Sequence, residues 1–233
     1  MTTSELYNGD AIEILSAMQS ESVDLCVTDP PYRTISGGRN DDLSRRKWNS
    51  PRGVLSKNDG KIFAHNDIDH YAWMRQVYRV LKPNTDFYCM TNLLNLKMFM
   101  ETAESVGFKL HNLLVWKKNT LTPSRWYMKN CEFTLYFYKG HAKPINEQSS
   151  AMIHEFKNPT GNKLHPTEKP VELMEFYIRN SSQPHDLVLD PFMGAGSTGV
   201  ACKNLDREFF GCELDENYYN IAKERIENVK NKV

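Results

Sequence analysis

Asp190-Pro-Phe-Met-Gly-Ala-Gly-Ser-Thr-Gly199 follows the short apolar run Leu187-Val-Leu189 and leads into a helical pattern that continues through Val200 to Leu205. Glycines at 194, 196 and 199 allow a tight turn and let the backbone approach a ligand at a helix N-terminus, where unpaired amide groups collect. A second apolar run, Glu208-Phe-Phe-Gly-Cys212, comes next, and Glu213 stands nineteen residues after Gly194. An acid near that distance commonly bonds ribose hydroxyls in nucleotide-type sites. A glycine turn with a surface glutamate is the plainer reading. It loses ground because strand, turn, helix, strand and acid occur in the required order. On these residues alone NAD and S-adenosylmethionine both remain open.

Working outward, short apolar runs alternate with amphipathic stretches along the whole chain. The runs at 23–28, 86–91, 110–116, 132–138, 187–189 and 208–212 read as strands. Those at 11–18, 70–81, 94–106, 170–180, 197–204 and 217–229 read as helices. Such alternation predicts an α/β fold with a mostly parallel sheet covered on both faces, and ligands beyond the carboxyl ends of its strands. At 233 residues, 40% hydrophobic and 25% charged, the chain suits one such domain with an ample core. Cys26, Cys89, Cys131, Cys202 and Cys212 are scattered without zinc spacing, which favours small core residues in a reducing compartment and no metal. The N-terminal MTTSELYNGD lacks a basic region followed by an apolar stretch, and no run approaches the ~18 apolar residues of a membrane span. A cytoplasmic setting is expected.

The formal net charge is zero, but the charge is segregated. Residues 33–66 are long, polar and rich in turn signals, and hold eight basic side chains against three aspartates. Residues 109–145 hold seven basic side chains against Glu132 alone. The remainder of the chain is therefore acidic.

Three further motifs carry chemistry. T-D-P-P-Y at 28–32 directly follows the strand 23–28, which delivers Asp29 to the sheet's carboxyl edge. Two prolines fix the backbone and remove two N–H donors. An acceptor-rich turn remains, made of the Asp29 carboxylate and the Pro30 and Pro31 carbonyls, with the Tyr32 ring beside it. It suits a flat aromatic substrate bearing an amino group. H-P-T-E-K-P at 165–170 resembles a helix start, and Asp10 of Asn8-Gly9-Asp10-Ala11 suits a helix cap.

In this order, T-D-P-P-Y, H-P-T-E-K-P and the glycine loop at 190–199 resemble the amino-methyltransferases of DNA, in the permuted beta class whose catalytic motif precedes its cofactor loop. The likeness runs from Asn8 to Ile226. It implies a Rossmann-like sheet of seven strands with the last one antiparallel, and S-adenosylmethionine as cofactor. Asp190, Pro191, Phe192, Gly194 and Gly196 would wrap the methionine part, Glu213 the ribose, and Asp10 with Ala11 the adenine. Thr167 and Lys169 would hold the cofactor's amino-acid end. Asp29 and Pro30 would accept the two amino hydrogens of an extruded adenine, freeing the nitrogen lone pair for in-line attack on the sulfonium methyl, with Pro31 shaping the turn and Tyr32 stacking on the base.

By the same likeness the basic segment 33–66, with Arg33, Arg39, Arg45, Arg46 and Lys47, would contact DNA, as would Arg125 in the cluster Arg125-Trp126-Tyr127 with Lys129. Residues 140–163 leave only a short target-recognition region. A homodimer, a cognate restriction endonuclease and a bacterial or phage origin accompany the resemblance. Glu168 stands where the family more often has glutamine, and Gly-Ala-Gly-Ser-Thr-Gly replaces the commoner Gly-Ser-Gly-Thr-Thr-Gly. N4-methylation of cytosine uses the same amino chemistry, and a catalytically inactive DNA-binding module is the rival of a different class. Serine in place of Asp29 would favour cytosine, so Asp29 points to N6 of adenine.

Overall fold

The computed structural model describes residues 2–32, 68–122, 126–158 and 168–229. Met1–Pro30 together with His70–Val233 form one compact unit, and Pro31–Asp69 a second. In the first unit the elements are β1 (Ser4–Asn8), α1 (Ala11–Ala17), β2 (Val23–Thr28), α2 (His70–Val80), β3 (Leu81–Thr91), α3 (Leu96–Val106), β4 (Lys109–Thr122), β5 (Lys129–Tyr138), β6 (Ile153–Glu155), α4 (Val171–Ser181), β7 (Leu187–Asp190), α5 (Ser197–Asn204), β8 (Glu208–Glu213) and α6 (Glu216–Glu227).

The strands make one sheet of eight, where seven were expected, in the order β1-β8-β7-β2-β3-β5-β4-β6. Strand β5 is antiparallel to both neighbours, β3 and β4, while every other pairing is parallel. The sequence therefore located the six central strands correctly. It missed β1, whose residues are largely exposed, and β6, three residues at the sheet edge. Neither presents the continuous apolar run by which a buried strand is recognised. The antiparallel strand is not the last in the chain but β5, the return arm of a hairpin. Only a short connection separates it from β4, too short for the crossover a parallel pair requires.

Helix faces follow from apolar spacing. On α2, Trp73, Met74, Val77 and Val80 are buried, and on α4 Leu173, Met174, Tyr177 and Ile178 are, each set recurring at three to four residues. The α4 set packs with Leu25, Val27, Val188 and Phe209 of the strands, while Trp73 of α2 meets Phe87 of β3 edge-on; each fully buried side chain stabilises the fold by about 2 kcal/mol. Helix α3 stops at Gly107, whose φ of 118° only glycine adopts freely and whose amide caps the Ala103 and Glu104 carbonyls. Among the described residues no helix is long and apolar enough to cross a membrane.

What matters for the site is where the connections reverse. From β7 the chain moves through α5 to β8 on one side, and from β2 through α2 to β3 on the other. The gap between β7 and β2 is thus the topological switch point of the sheet, where ligands of such folds lie. Asp190 ends β7 and Asp29 immediately follows β2, so the two aspartates flank it.

Candidate active site

Asp190 organises the glycine loop. One carboxylate oxygen accepts from Thr28 Oγ1 at 2.7 Å and the Phe192 amide at 3.1 Å, and the other accepts from Thr198 Oγ1 at 2.6 Å. These bonds tie the end of β2, the turn and the first turn of α5 to one buried group. Burial raises its pKa to about 6, against the pull of the three hydrogen bonds. The loop is also stitched to β8: Met193 donates to the Cys212 carbonyl at 2.9 Å, and Gly194 to Glu213 Oε2 at 3.0 Å. Gly194 and Gly196 sit at φ of 51° and 80°. A Cβ on Gly196 would lie 3.0 Å from Ala222, so glycine lets α6 close on the turn.

Glu213 lies at the end of β8, its other oxygen bonded to the Asp215 amide at 2.9 Å. Burial raises its pKa, opposed by the amides of Asp215, Gly194 and Leu214. At the neighbouring end of β1, Asn8 and Gly9 both donate to the Glu213 carbonyl. Asp10 accepts from the Ile12 and Glu13 amides and so caps α1, the local role expected of it, with Ala11 buried behind. Asp10, Ala11 and Glu213 therefore occupy adjacent strand ends. Pro191 is buried, and the half-buried Phe192 ring meets Trp73 edge-on at 5.2 Å.

Asp29 is held differently. Its Oδ2 is paired with the Lys169 ammonium, while Oδ1 is buried without a hydrogen-bond partner among the described residues. Burial raises its pKa, and Lys169 pulls the other way. The Lys169 backbone is fixed from two sides. Ser197 Oγ of α5 donates to its carbonyl at 2.9 Å, and the preceding Glu168 is ion-paired to Arg225 of α6 at 2.8 Å. Arg225 also donates to the Ala195 carbonyl. The glutamate at 168, unusual by comparison with the resembled family, thus clamps this segment to the glycine loop. The expectation for Lys169 was a place at the cofactor's amino-acid end; the structure sets its side chain against Asp29.

Two residues that sequence reasoning did not select complete this cluster. Glu132 of β5 lies 3.4 Å from Lys169, and its other oxygen is paired with Lys118 of β4. Burial opposes its ionisation, but the two ammonium groups outweigh burial and hold its pKa below the ordinary value. Its signal in the sequence was its isolation, as the lone acid in a basic stretch.

Pro30 is buried, and Pro31 and Tyr32, in the second unit, are half-buried. Arg33, Arg39, Arg45, Arg46, Lys47, Arg125 and Thr167 lie outside the described residues. Of the second basic cluster, Trp126 and Tyr127 are 85% and 95% exposed beside the β4–β5 hairpin. Four of the five cysteines are buried and all are free, as their apolar settings suggested.

A permuted Rossmann-like sheet, a glycine loop closed by an acid, and an aspartate with an open acceptor at the switch point define a nucleotide-cofactor enzyme acting on a polar substrate group. The chain belongs to the N6/N4 DNA methylase family, whose model matches residues 23–224. It is 30% identical to the type II methyltransferase M2.DpnII of Streptococcus pneumoniae, covering 95% of this chain and 89% of that protein. With the type II methyltransferase M2.LlaDCHI of Lactococcus lactis subsp. cremoris it shares 29% identity, covering 95% and 88%. Among solved structures, the M1.HpyAVI–SAM complex is 28% identical with a TM-score of 0.72, over 96% of this chain and 99% of that one. The cytosine-N4-specific PvuII DNA methyltransferase shares the fold at a TM-score of 0.72 with 19% identity, over 100% and 89%.

Proposed function

We propose that this DNA methylase transfers its methyl group to N6 of adenine in DNA. The observation that carries the reading is Oδ1 of Asp29 at the switch point, buried and without a hydrogen-bond partner among the described residues. An amino group supplies the hydrogen that such an oxygen lacks. The methyl donor is S-adenosylmethionine, whose positive sulfur makes the methyl group ready for transfer. The residues at the glycine loop fit it: positive-φ glycines permit close backbone approach, and Glu213 offers a carboxylate at the end of the next strand for hydroxyl groups. Phe192, Pro191, Gly194 and Gly196 line its methionine side in this reading, with Asp190 fixing the loop. Asp10 and Ala11 take the adenine side. Thr167 keeps the role expected from its motif.

Asp29 and the Pro30 carbonyl orient the target nitrogen, and Asp29 serves as acceptor rather than nucleophile. Because an amino group inside a duplex is out of reach, the base leaves the stack at a cost of a few kcal/mol, with Tyr32 as its stacking surface and Pro31 setting the turn. The basic segment 33–66, with Arg33, Arg39, Arg45, Arg46 and Lys47, grips phosphates. Arg125, Trp126, Tyr127 and Lys129 provide a second basic and aromatic contact. Residues 140–163 form the short target-recognition region of an otherwise single catalytic domain. A homodimer, a partner endonuclease and a cytoplasmic setting belong to the same reading.

N4 of cytosine is the second reading, because the cytosine-N4-specific PvuII enzyme shares this fold. Tritium transfer from labelled S-adenosylmethionine to double- and single-stranded DNA, followed by nucleoside analysis, separates the two. Label in N6-methyladenine is the expected result. Label in N4-methylcytosine overturns the choice of base and keeps the mechanism.

A further inference from the structure

Asp29 belongs to an alternating chain of charges that extends away from the switch point. Lys169, from the segment before α4, contacts Asp29; Glu132 of β5 contacts Lys169; Lys118 of β4 contacts Glu132. Lys169 and Lys118 have side chains only 8% and 19% exposed, so solvent screens these pairs little. Lys118 also lies over the Trp116 ring at 4.7 Å, which fixes the outer end of the chain to the buried ring of β4. Asp29 and Glu132 thus share one ammonium.

We infer that Glu132, anchored by Lys118, is a positioning residue: by sharing the Lys169 ammonium it keeps one Asp29 oxygen fixed and the other available to the substrate amino group. The inference rests on the proposed role of Asp29 as acceptor. Without Glu132 the ammonium is drawn wholly to Asp29, which becomes a weaker acceptor and is free to swing with it. Without Lys118 the carboxylate of Glu132 loses its anchor and competes harder for Lys169. The two losses therefore act on Asp29 in opposite electrostatic senses. Among the described residues, the charged and titratable groups that face Asp29 are Lys169, Glu132 of β5, Lys118 of β4, Asp190 of β7 and Cys89 of β3. Glu132 pushes the Asp29 titration upward and Lys118 pushes it downward.

The test uses the full chain as wild type, Glu132→Gln, Glu132→Asp and Lys118→Met. Methyl transfer to DNA gives kcat, KM for S-adenosylmethionine and the pH profile, and carbon NMR of the labelled Asp29 carboxyl gives its titration in the cofactor-free protein. In Glu132→Gln, kcat is expected to fall about 10- to 100-fold with KM for the cofactor changed less than about twofold. Its acid limb and its Asp29 titration move to lower pH. In Lys118→Met both move to higher pH, and Glu132→Asp recovers part of the lost rate. An unchanged Asp29 titration in Glu132→Gln, or a kcat within about twofold of wild type, overturns the inference. Should Glu132→Gln fail to fold, the upward shift in Lys118→Met decides, and its absence overturns the inference equally. Wild-type protein that transfers no methyl group to any DNA defeats the proposed function instead, and the NMR titration still decides the role of Glu132.

Discussion

Two aspartates end neighbouring strands of one sheet, and they are equipped for opposite tasks. Both oxygens of Asp190 are occupied, by two threonine hydroxyls and an amide from the end of β2, the glycine loop and α5. Asp29 has one oxygen on Lys169 and one buried with nothing to accept among the described residues. A buried polar atom without a partner costs about 1–3 kcal/mol, which a fold tolerates where a ligand supplies the missing bond. The comparison teaches that proximity to a switch point does not make a carboxylate reactive; unused bonding capacity does. Asp190 builds the site and Asp29 works in it.

Substitutions that break this division differ in size and in readout. Asp29→Ala is expected to lower methyl transfer by about a thousandfold or more, while calorimetric affinity for S-adenosylmethionine stays within about threefold. Retained transfer would remove Asp29 from the mechanism. Asp190→Ala acts through the fold: loss of three buried hydrogen bonds costs about 3 kcal/mol, seen as a fall in Tm, and cofactor affinity drops with it. Equal stability in that variant contradicts the building role. Glu213→Ala sharpens the contrast from the third strand end, weakening cofactor binding by about 10- to 30-fold with kcat at saturation nearly kept.

Gly211→Ala probes the packing behind the loop, where a Cβ would lie 2.5 Å from Met193 Sδ and 2.6 Å from Phe209. A loss of about 1–2 kcal/mol in denaturant unfolding is expected. The smallest effect is a pH dependence. The Asp190 pKa in the fold, about 6, lies above its ordinary 3.8. Its contribution to stability is therefore fully present below about pH 4 and is lost as pH rises through about 6. Wild type should lose Tm relative to Asp190→Asn by a few degrees between those values, and parallel curves would refute the shift.

Much of this comparison was legible in the sequence. Six strands and six helices announced themselves through apolar runs and helical spacing, and the glycine loop placed Asp190 and Glu213 at strand ends. The strands that escaped, β1 and β6, lie at the two edges of the sheet, where burial is too slight to write a pattern. The site was legible to the level of its motifs but not of its contacts. Asp190 and Asp29 both follow apolar runs and precede proline, so nothing local tells the occupied carboxylate from the open one. That difference is made by Thr28, Thr198 and Lys169, which the folded chain supplies from 140 residues or more away for Lys169 and Thr28, and from the next helix for Thr198. Glu132 stood out only as the lone acid of a basic stretch and Lys118 not at all, because their meaning arises only when the hairpin pairs Trp116 with Glu132.

The central claim is that the open oxygen of Asp29 receives the amino group of the target base. Its most direct test is a crystal structure of the full chain with DNA and a cofactor analogue that cannot donate its methyl group. The account predicts an extruded base with its exocyclic nitrogen about 3 Å from Asp29 Oδ1, and Asp190 still bonded to Thr28 and Thr198. An Asp29 turned toward the cofactor instead, with the base amino group elsewhere, would contradict it.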